Sequence, residues 1–504
     1  MPSSSSNIKS AAVLGLDARL ISVEADISPG LHSFTIVGLP GASVQESKQR
    51  VSAAIKNSGF IPPRRSQSIT INLAPADLKK QGPAYDLPIA IGFLTASGQL
   101  FFDFPNKIFI GELSLDGSLR PVAGVLAIAL LAKKLNKELF LPWANAKEAA
   151  LVKNLKIFPA KTLGEMFAHL SQKLPIKTFN LKPTGSEQLE LKTETDFSLI
   201  KGQEQTKRAI EIAAAGGHNI LLNGPPGSGK TLLARAMNSI LPELNWDESL
   251  EVTRIYSISG NLPQQQPLIT RRPFRSPHHS ASAVSLIGGG TWPHPGEITL
   301  AHRGILFLDE LPEFPRQILE SLRQPLEDKV ISLSRANFKI NFPANFMLVA
   351  AMNPCPCGFL TDPNHECTCL PGKIWQYRKK ISGPLLDRID MHVEVPAVDY
   401  RKLLSPDSGE NSEVIKKRVK SAREKQKNLN ANLDLKSLEQ RCQLDSQGKS
   451  LIQKAASQFN LSARSYHKVL KIARTIADLE AEENIQALHI AEALQYRPKT
   501  EVGN

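Results

Sequence analysis

Apolar positions along this chain switch between a two-residue and a roughly 3.6-residue period, and each switch marks an element. Leu20–Ile27 and Phe34–Val37 alternate as strands, with Gly38-Leu39-Pro40-Gly41 as a turn beside them. Val44–Asn57 carries a helical pattern, Ser68–Leu73 alternates again, and Ala123–Lys134 reads as a helix of small residues. Mixed elements joined by short turns predict one α+β domain over residues 1–170. Periodicity lapses over residues 171–196, where lysines, prolines and polar side chains make a linker. Residues 197–400 then carry short apolar runs with polar ends, Ile220–Leu222, Gly304–Leu308 and Phe346–Met352, which read as buried strands. From residue 401 to 504 the period is helical, over Val414–Asn428, Ser450–Phe459, Ser465–Ala481 and Ile485–Leu494.

The polar ends of the central runs carry chemistry. Ile220-Leu221-Leu222 leads into Gly224-Pro225-Pro226-Gly227-Ser228-Gly229-Lys230-Thr231, and Leu232–Met237 opens a helix. Strand, glycine-rich turn and helix in that order form a phosphate cradle of backbone N–H groups at a helix N-terminus. Lys230 would reach the β- and γ-phosphates and the Thr231 hydroxyl would hold Mg2+, so ATP or a close relative is the expected ligand. Gly304–Leu308 ends in Asp309, placed to hold Mg2+ directly or through water, and Glu310, placed to orient and polarise the attacking water. Asn353, at the tip of the third run, would touch the γ-phosphate or that water. Arg388, in Leu385–Asp390, either reaches a phosphoryl group across a subunit boundary or pairs with an aspartate of its own chain.

Two stretches exceed what a strand–helix–strand unit needs. Ile258–His302 is rich in Gly, Pro, His and Arg; its Arg275, His278 and His279 either contact phosphates or pack the loop. Adding His294 gives spacing too irregular for a metal site. Lys329–Phe342 alternates as two strands around Ser334-Arg335-Ala336-Asn337, so Arg335 and Lys339 would offer charge to a nucleic-acid backbone. Four of the five cysteines form two C-x-C pairs, Cys355 with Cys357 and Cys367 with Cys369. They would supply one tetrahedral structural Zn2+, with His365 as a substitute ligand, or stand as reduced buried thiols.

Charge and composition narrow the setting. Lys and Arg number 61 against 48 acidic residues, a net charge of +13, which points to nucleic acid before membrane, or else to a basic but inert surface. Five cysteines do not make a disulfide scaffold, and a reducing cytoplasm is expected. The first residues show no leader pattern, and Val125–Ala132 is too short to span a bilayer, so no membrane association is expected.

The order GPPGSGKT, LFLDELPEF, AAMNPCPCG and SGPLLDRIDMHVEV resembles the magnesium-chelatase-like AAA+ ATPases, and more narrowly the YifB/ComM family of competence-associated helicases. The likeness extends to GLPGASVQESKQRVSAAIKNSGF near the start and LSARSYHKVLKIARTIADL near the end. It implies an α/β chain with a Lon-C-like α+β domain and an AAA+ core bearing a helix-2 insert and a pre-sensor-1 hairpin. A helical lid of the magnesium-chelatase C-terminal type would follow. It implies Arg388 as arginine finger, Arg464 as sensor-2 arginine and Gln203 beside the adenine pocket. It further implies a homo-hexamer with ATP between subunits, acting as a translocase on single-stranded and branched DNA. The family's work is branch migration of single-stranded DNA into homologous duplex during natural transformation. Where Lon-type peptidases carry a serine, this chain has Gly82-Pro83-Ala84-Tyr85-Asp86, and Val125–Ile128 offers no lysine, so no peptidase is expected. The alternative is a chelatase-type motor remodelling a protein partner. Such motors work with a partner subunit carrying an integrin-like domain, which nothing here resembles.

Overall fold

The computed structural model describes residues 5–181, 195–263, 266–290, 293–335, 338–397 and 409–498. The chain resolves into two units, Met1–Glu187 with Ser249–Ile269, and Gln188–Glu248 with Thr270–Asn504. Much of the expected linker, residues 182–194, lies outside the described residues.

The first unit is built on a seven-stranded sheet in the order Ser33–Val37, Gln67–Ala74, Asp17–Pro29, Ser5–Leu14, Lys107–Phe109, Glu138–Pro142, Ile157–Ala160. The long hairpin of the first two strands runs antiparallel with Ile8 opposite Val23. Both side chains are fully buried. Helix Asp86–Ala96 is apolar all round and lies against that hairpin, where the Ser6 hydroxyl donates to the Gly92 carbonyl at 2.8 Å. The segment Ser249–Ile269 joins this unit although the sequence places it deep in the nucleotide-binding half. Leu250 and Leu268 pack on the first unit's core, and Ser257 donates to the buried Glu148 at 2.5 Å while its carbonyl accepts from Gly124.

The second unit holds five parallel strands in the order Phe274–Arg275, Ile305–Leu308, Met347–Met352, Ile220–Asn223, Met391–Glu394. The three central strands, Ile305–Leu308, Met347–Met352 and Ile220–Asn223, bury nearly every side chain, as a parallel sheet covered on both faces requires. Their carboxyl ends lie side by side, the position at which open α/β sheets bind ligands. An antiparallel hairpin, Val330–Arg335 with Phe338–Pro343, interrupts the run between two of them. Ile331, Ile340 and Phe342 are buried while Ser332, Ser334, Lys339 and Asn341 are exposed, so the hairpin has one apolar and one polar face. Ala336, Asn337 and the side chain of Arg335 lie outside the described residues.

Helices Ser412–Glu424, Ser446–Gln458, Ala463–Leu479 and Ala487–Gln495 share a core with helix Glu204–Gly216 of the same unit. The basic helix Ser412–Glu424 begins where Asn411 accepts from the Glu413 N–H. It buries Ile415, Val419 and Ala422 and places Arg418 on Glu211 and Glu410, and Arg423 on the Ala214 carbonyl. Those two arginines serve internal packing. Among the described residues no helix is long and apolar enough to cross a membrane.

Candidate active site

The sheet's carboxyl ends bring the predicted phosphate loop, carboxylates and asparagine together. Gly227 and Gly229 take left-handed backbone angles, φ 75° and 82°, which a side chain would strain. At Gly224 a Cβ would meet the Val395 carbonyl oxygen at 2.2 Å, so only glycine lets the loop close on the neighbouring strand's end. The Lys230 ammonium donates to the carbonyls of Gly224 (2.7 Å) and Pro225 (2.8 Å) and to Asn353 Oδ1 (3.2 Å). Burial lowers its pKa, and the nearby Asp309 and Glu310 oppose that shift. Thr231 Oγ1 donates to Asp309 Oδ2 at 2.7 Å, which sets two hard oxygen ligands together. Among the described residues the Ser228 hydroxyl has no hydrogen-bond partner, and it is buried inside the loop. These groups fit a nucleotide phosphate and its Mg2+.

Glu310 follows at φ 50°, a left-handed conformation uncommon for a residue with a side chain. Its N–H donates to Asp309 Oδ1 and its carbonyl accepts from Glu313, which fixes the turn that presents the carboxylate. Gln203 donates to the Ser228 carbonyl at 2.6 Å and so touches the loop backbone.

Arg388 and Arg464 lie elsewhere in the unit, and together. Both donate to one oxygen of Glu327, at 2.5 Å and 3.1 Å. Hydrogen bonding from Arg388, reinforced by both positive charges, holds the Glu327 carboxyl below its ordinary pKa. They line a cavity of about 1220 Å³ that also exposes Lys329, Lys420, Arg423, Lys468 and Lys471. None of the loop residues 224–231 lines it. The partner of Arg388 is thus a glutamate distant in sequence rather than a flanking aspartate. Its backbone is held by Asn219, whose side-chain amide donates to the Arg388 carbonyl (3.1 Å) and accepts from the Leu348 N–H (2.8 Å). Glu327 and Asn219 escaped the sequence reading; nothing local marks either, since each acts on a partner far along the chain.

In the first long stretch, Arg275 is clamped by Glu297 through two bonds of 2.6 and 2.7 Å, which fastens the loop to itself. His278 and His279 lie 4.0 Å apart between ring centres, tilted by 35°, and His279 faces Glu310. His294 is exposed on a short ladder with Gly289. Lys339 is exposed on the second hairpin's polar face.

Cys355, Cys357, Cys367 and Cys369 converge, with all four sulfurs within 4.8 Å of one another. Three sulfur pairs lie at 3.3, 3.6 and 3.7 Å. That is far beyond a disulfide bond and close to the roughly 3.8 Å separating thiolates tetrahedrally bound at 2.3 Å to Zn2+. His365 stands outside the cluster, bonded to Asp362 at 2.9 Å and in tilted contact with the Phe359 ring at 4.9 Å. The knuckle adjoins the phosphate loop: a Cβ on Gly358 would lie 2.6 Å from Pro226 Cδ.

Comparison with known proteins identifies the family. The family described as magnesium chelatase, subunit ChlI, matches residues 196–403, its C-terminal part matches residues 409–497, and a further ChlI part matches residues 23–145. The chain is 44% identical to the competence protein ComM of Haemophilus influenzae over 97% of both chains. It is 44% identical to the protein YifB of Escherichia coli over 96% of both. The magnesium-chelatase 67 kDa subunit of Heliobacterium mobile is 26% identical over 39% of this chain and 30% of its own. With both halves matched and near-complete coverage by relatives of this identity, the chain belongs to the YifB/ComM family of magnesium-chelatase-like AAA+ proteins.

Proposed function

We propose that this protein is an ATP-hydrolysing DNA translocase that works as a homo-hexameric ring in the cytoplasm. It promotes branch migration of single-stranded DNA into homologous duplex during natural transformation. The observation that carries the motor reading is the separation of two constellations within one unit. Lys230, Thr231, Asp309, Glu310 and Asn353 gather at the sheet's end, while Arg388 and Arg464 sit on Glu327 beside a different cavity. Complementary halves of one site, displayed on two surfaces, suit a head-to-tail ring.

In such a ring Lys230 binds the β- and γ-phosphates, Thr231 and Asp309 hold Mg2+, and Gln203 borders the adenine end. Bound Mg2+ neutralises charge on the phosphate oxygens. Glu310 polarises the attacking water, Asn353 fixes its position against the γ-phosphate, and the neighbour's Arg388 and Arg464 stabilise the charge that develops. The first unit serves as a Lon-C-like domain without peptidase chemistry, residues 258–302 as a helix-2 insert, and the Val330–Pro343 hairpin as a pre-sensor-1 element.

The DNA reading is supported by the net charge of +13, by the hairpin's polar face and by the competence relative's 44% identity. The alternative, a motor remodelling a protein partner, draws on the chelatase subunit's 26% identity over 39% of the chain, a weaker likeness. ATPase stimulation tests the choice. A fork or four-way junction should accelerate turnover more than linear duplex, and no response to any DNA would favour the alternative.

The hairpin gives a further expectation. Replacing Arg335 and Lys339 together by alanine should weaken single-strand binding on all sequences alike. The slope of log affinity against log salt should flatten by about 0.7 per lost phosphate contact. An unchanged slope would remove both from the DNA path.

The four cysteines are proposed to hold one structural Zn2+ that anchors the knuckle beside Pro226. Elemental analysis should find about one zinc per chain, and Cys367→Ser should lose most of it. A metal-free protein with four titratable thiols would establish the reduced-thiol alternative.

A further inference from the structure

Just past the last of the four cysteines the chain forms helix Pro371–Lys379. Between Glu366 and Asp387 it carries Lys373, Arg378, Lys379 and Lys380 and no carboxylate. The helix has two unlike faces. Tyr377 is buried, and Arg378 Nε donates to the Pro354 carbonyl at 3.3 Å, which ties the inward face to the residue after Asn353. At about 100° per residue, Trp375, Lys379, Gly372, Gln376, Lys380 and Lys373 follow one another across the opposite arc, and all six are exposed. Trp375 is 59% exposed although its indole is the largest apolar group on the helix. Lys379, one turn on, holds its ammonium 4.2 Å from the centre of that ring. Gly372, in the middle of the arc, has open space where a Cβ would stand, so no side chain rises beside the indole there. Lys380 is paired with Glu313 at 3.1 Å, while Lys373 and Lys379 have no carboxylate partner among the described residues.

We propose that this face is a stacking platform for single-stranded nucleic acid, on which Trp375 takes the face of one base while Lys379 and, across the helix, Lys373 take backbone phosphates. It rests on the reading of the protein as a DNA translocase, and it gives the strand a contact apart from the Val330–Pro343 hairpin. An exposed aromatic ring among cations holds bases by stacking and the backbone by charge, with little regard for sequence. A base inside a duplex has both faces covered by its neighbours, so only an unpaired strand offers a face to the indole. The cation over the ring is a weak tether at an exposed site, so Lys379 can pass to the phosphate beside a base stacked there. An acidic peptide would satisfy the lysines and leave the flat face of the indole unused.

The test is binding of a labelled poly-dT strand to the full chain with a non-hydrolysable ATP analogue, read by fluorescence anisotropy. An abasic strand of equal length and a linear duplex are titrated beside it. Trp375→Ala should weaken poly-dT binding about tenfold, the scale of one base–aromatic stack, and leave the abasic strand and the duplex unchanged. Trp375→Phe keeps an aromatic face and should stay within about threefold of wild type. Lys379→Ala should weaken poly-dT and the abasic strand alike, and flatten the slope of log affinity against log salt by about 0.7. Assembly mass by light scattering and DNA-free ATPase should match wild type in all three variants. Wild-type affinity of Trp375→Ala for poly-dT would overturn the platform, and so would an equal loss on the abasic strand. A smaller assembly in Trp375→Ala would overturn it too, by making the helix a contact between copies of the chain. A wild-type chain that binds neither strand nor duplex would strike the DNA reading itself, and the platform with it.

Discussion

Glu310→Gln is expected to bind ATP as the wild-type chain does and to turn it over about 10²–10⁴-fold more slowly, the usual contribution of a positioned general base. The amide keeps the size of the side chain and the left-handed turn at φ 50°, and the backbone bonds to Asp309 and Glu313 are untouched. Only proton affinity is lost. Lys230→Ala is expected to fail one step earlier. Removing its ammonium strips the charge from the cradle and takes a donor from the Gly224 and Pro225 carbonyls and from Asn353 Oδ1. Affinity for ATP should fall about a hundredfold or more, since charge-assisted contacts to phosphate are the strong ones. Titration with a fluorescent ATP analogue, followed by steady-state hydrolysis, separates the two defects. A Glu310→Gln enzyme at the wild-type rate would move the base elsewhere. Asp309 is a poor replacement, because Thr231 and the Glu310 N–H already occupy its oxygens.

What the sequence made legible was what it encodes locally. Gly224 to Thr231 could be read because strand, loop and helix follow one another without interruption. Asp309, Glu310 and Asn353 could be read because each ends an apolar run, and parallel strands align their carboxyl ends. The cysteine knuckle was visible as spacing. Glu327, Asn219 and the His279–Glu310 contact were not, since each joins residues that only the folded sheet makes neighbours. Helix Asp86–Ala96 is buried on almost every side and so has no polar stripe to set a period. Strand Ser5–Leu14 was missed because serine, asparagine and lysine fill most of its outward positions and small residues crowd its end. The segment Ser249–Ile269 looks in sequence like part of the nucleotide-binding half. What assigns it to the first unit is burial of Leu250 and Leu268 and the Ser257–Glu148 bond, none of which leaves a local pattern.

Arg388→Ala is expected to bind ATP normally and lose about 10³–10⁵-fold in kcat, the range in which an arginine finger acts on a transferring phosphoryl group. The stronger test is complementation. Arg388 shares Glu327 with Arg464, its buried Nε has no hydrogen-bond partner among the described residues, and the cavity it lines includes none of residues 224–231. Releasing its bonds to Glu327 and to the Pro384 carbonyl would turn the guanidinium outward, while Asn219 and Lys468 keep the backbone beside it fixed through the Arg388 and Ile389 carbonyls. In the proposed ring such a side chain would serve ATP held by the next subunit. Lys230→Ala and Arg388→Ala chains, each inactive alone, should therefore recover activity when mixed. Every interface that places an intact Lys230 against an intact Arg388 becomes competent, about a quarter of them in a random equimolar head-to-tail ring. Mixing after dissociation and reassembly, and measuring ATPase against the mixing ratio, should trace a curve with its maximum at equal amounts. Activity that stays at the level of the separate mutants across the whole series would place Arg388 in the site of its own chain. Its bond to Glu327 would then be a structural tie within the subunit.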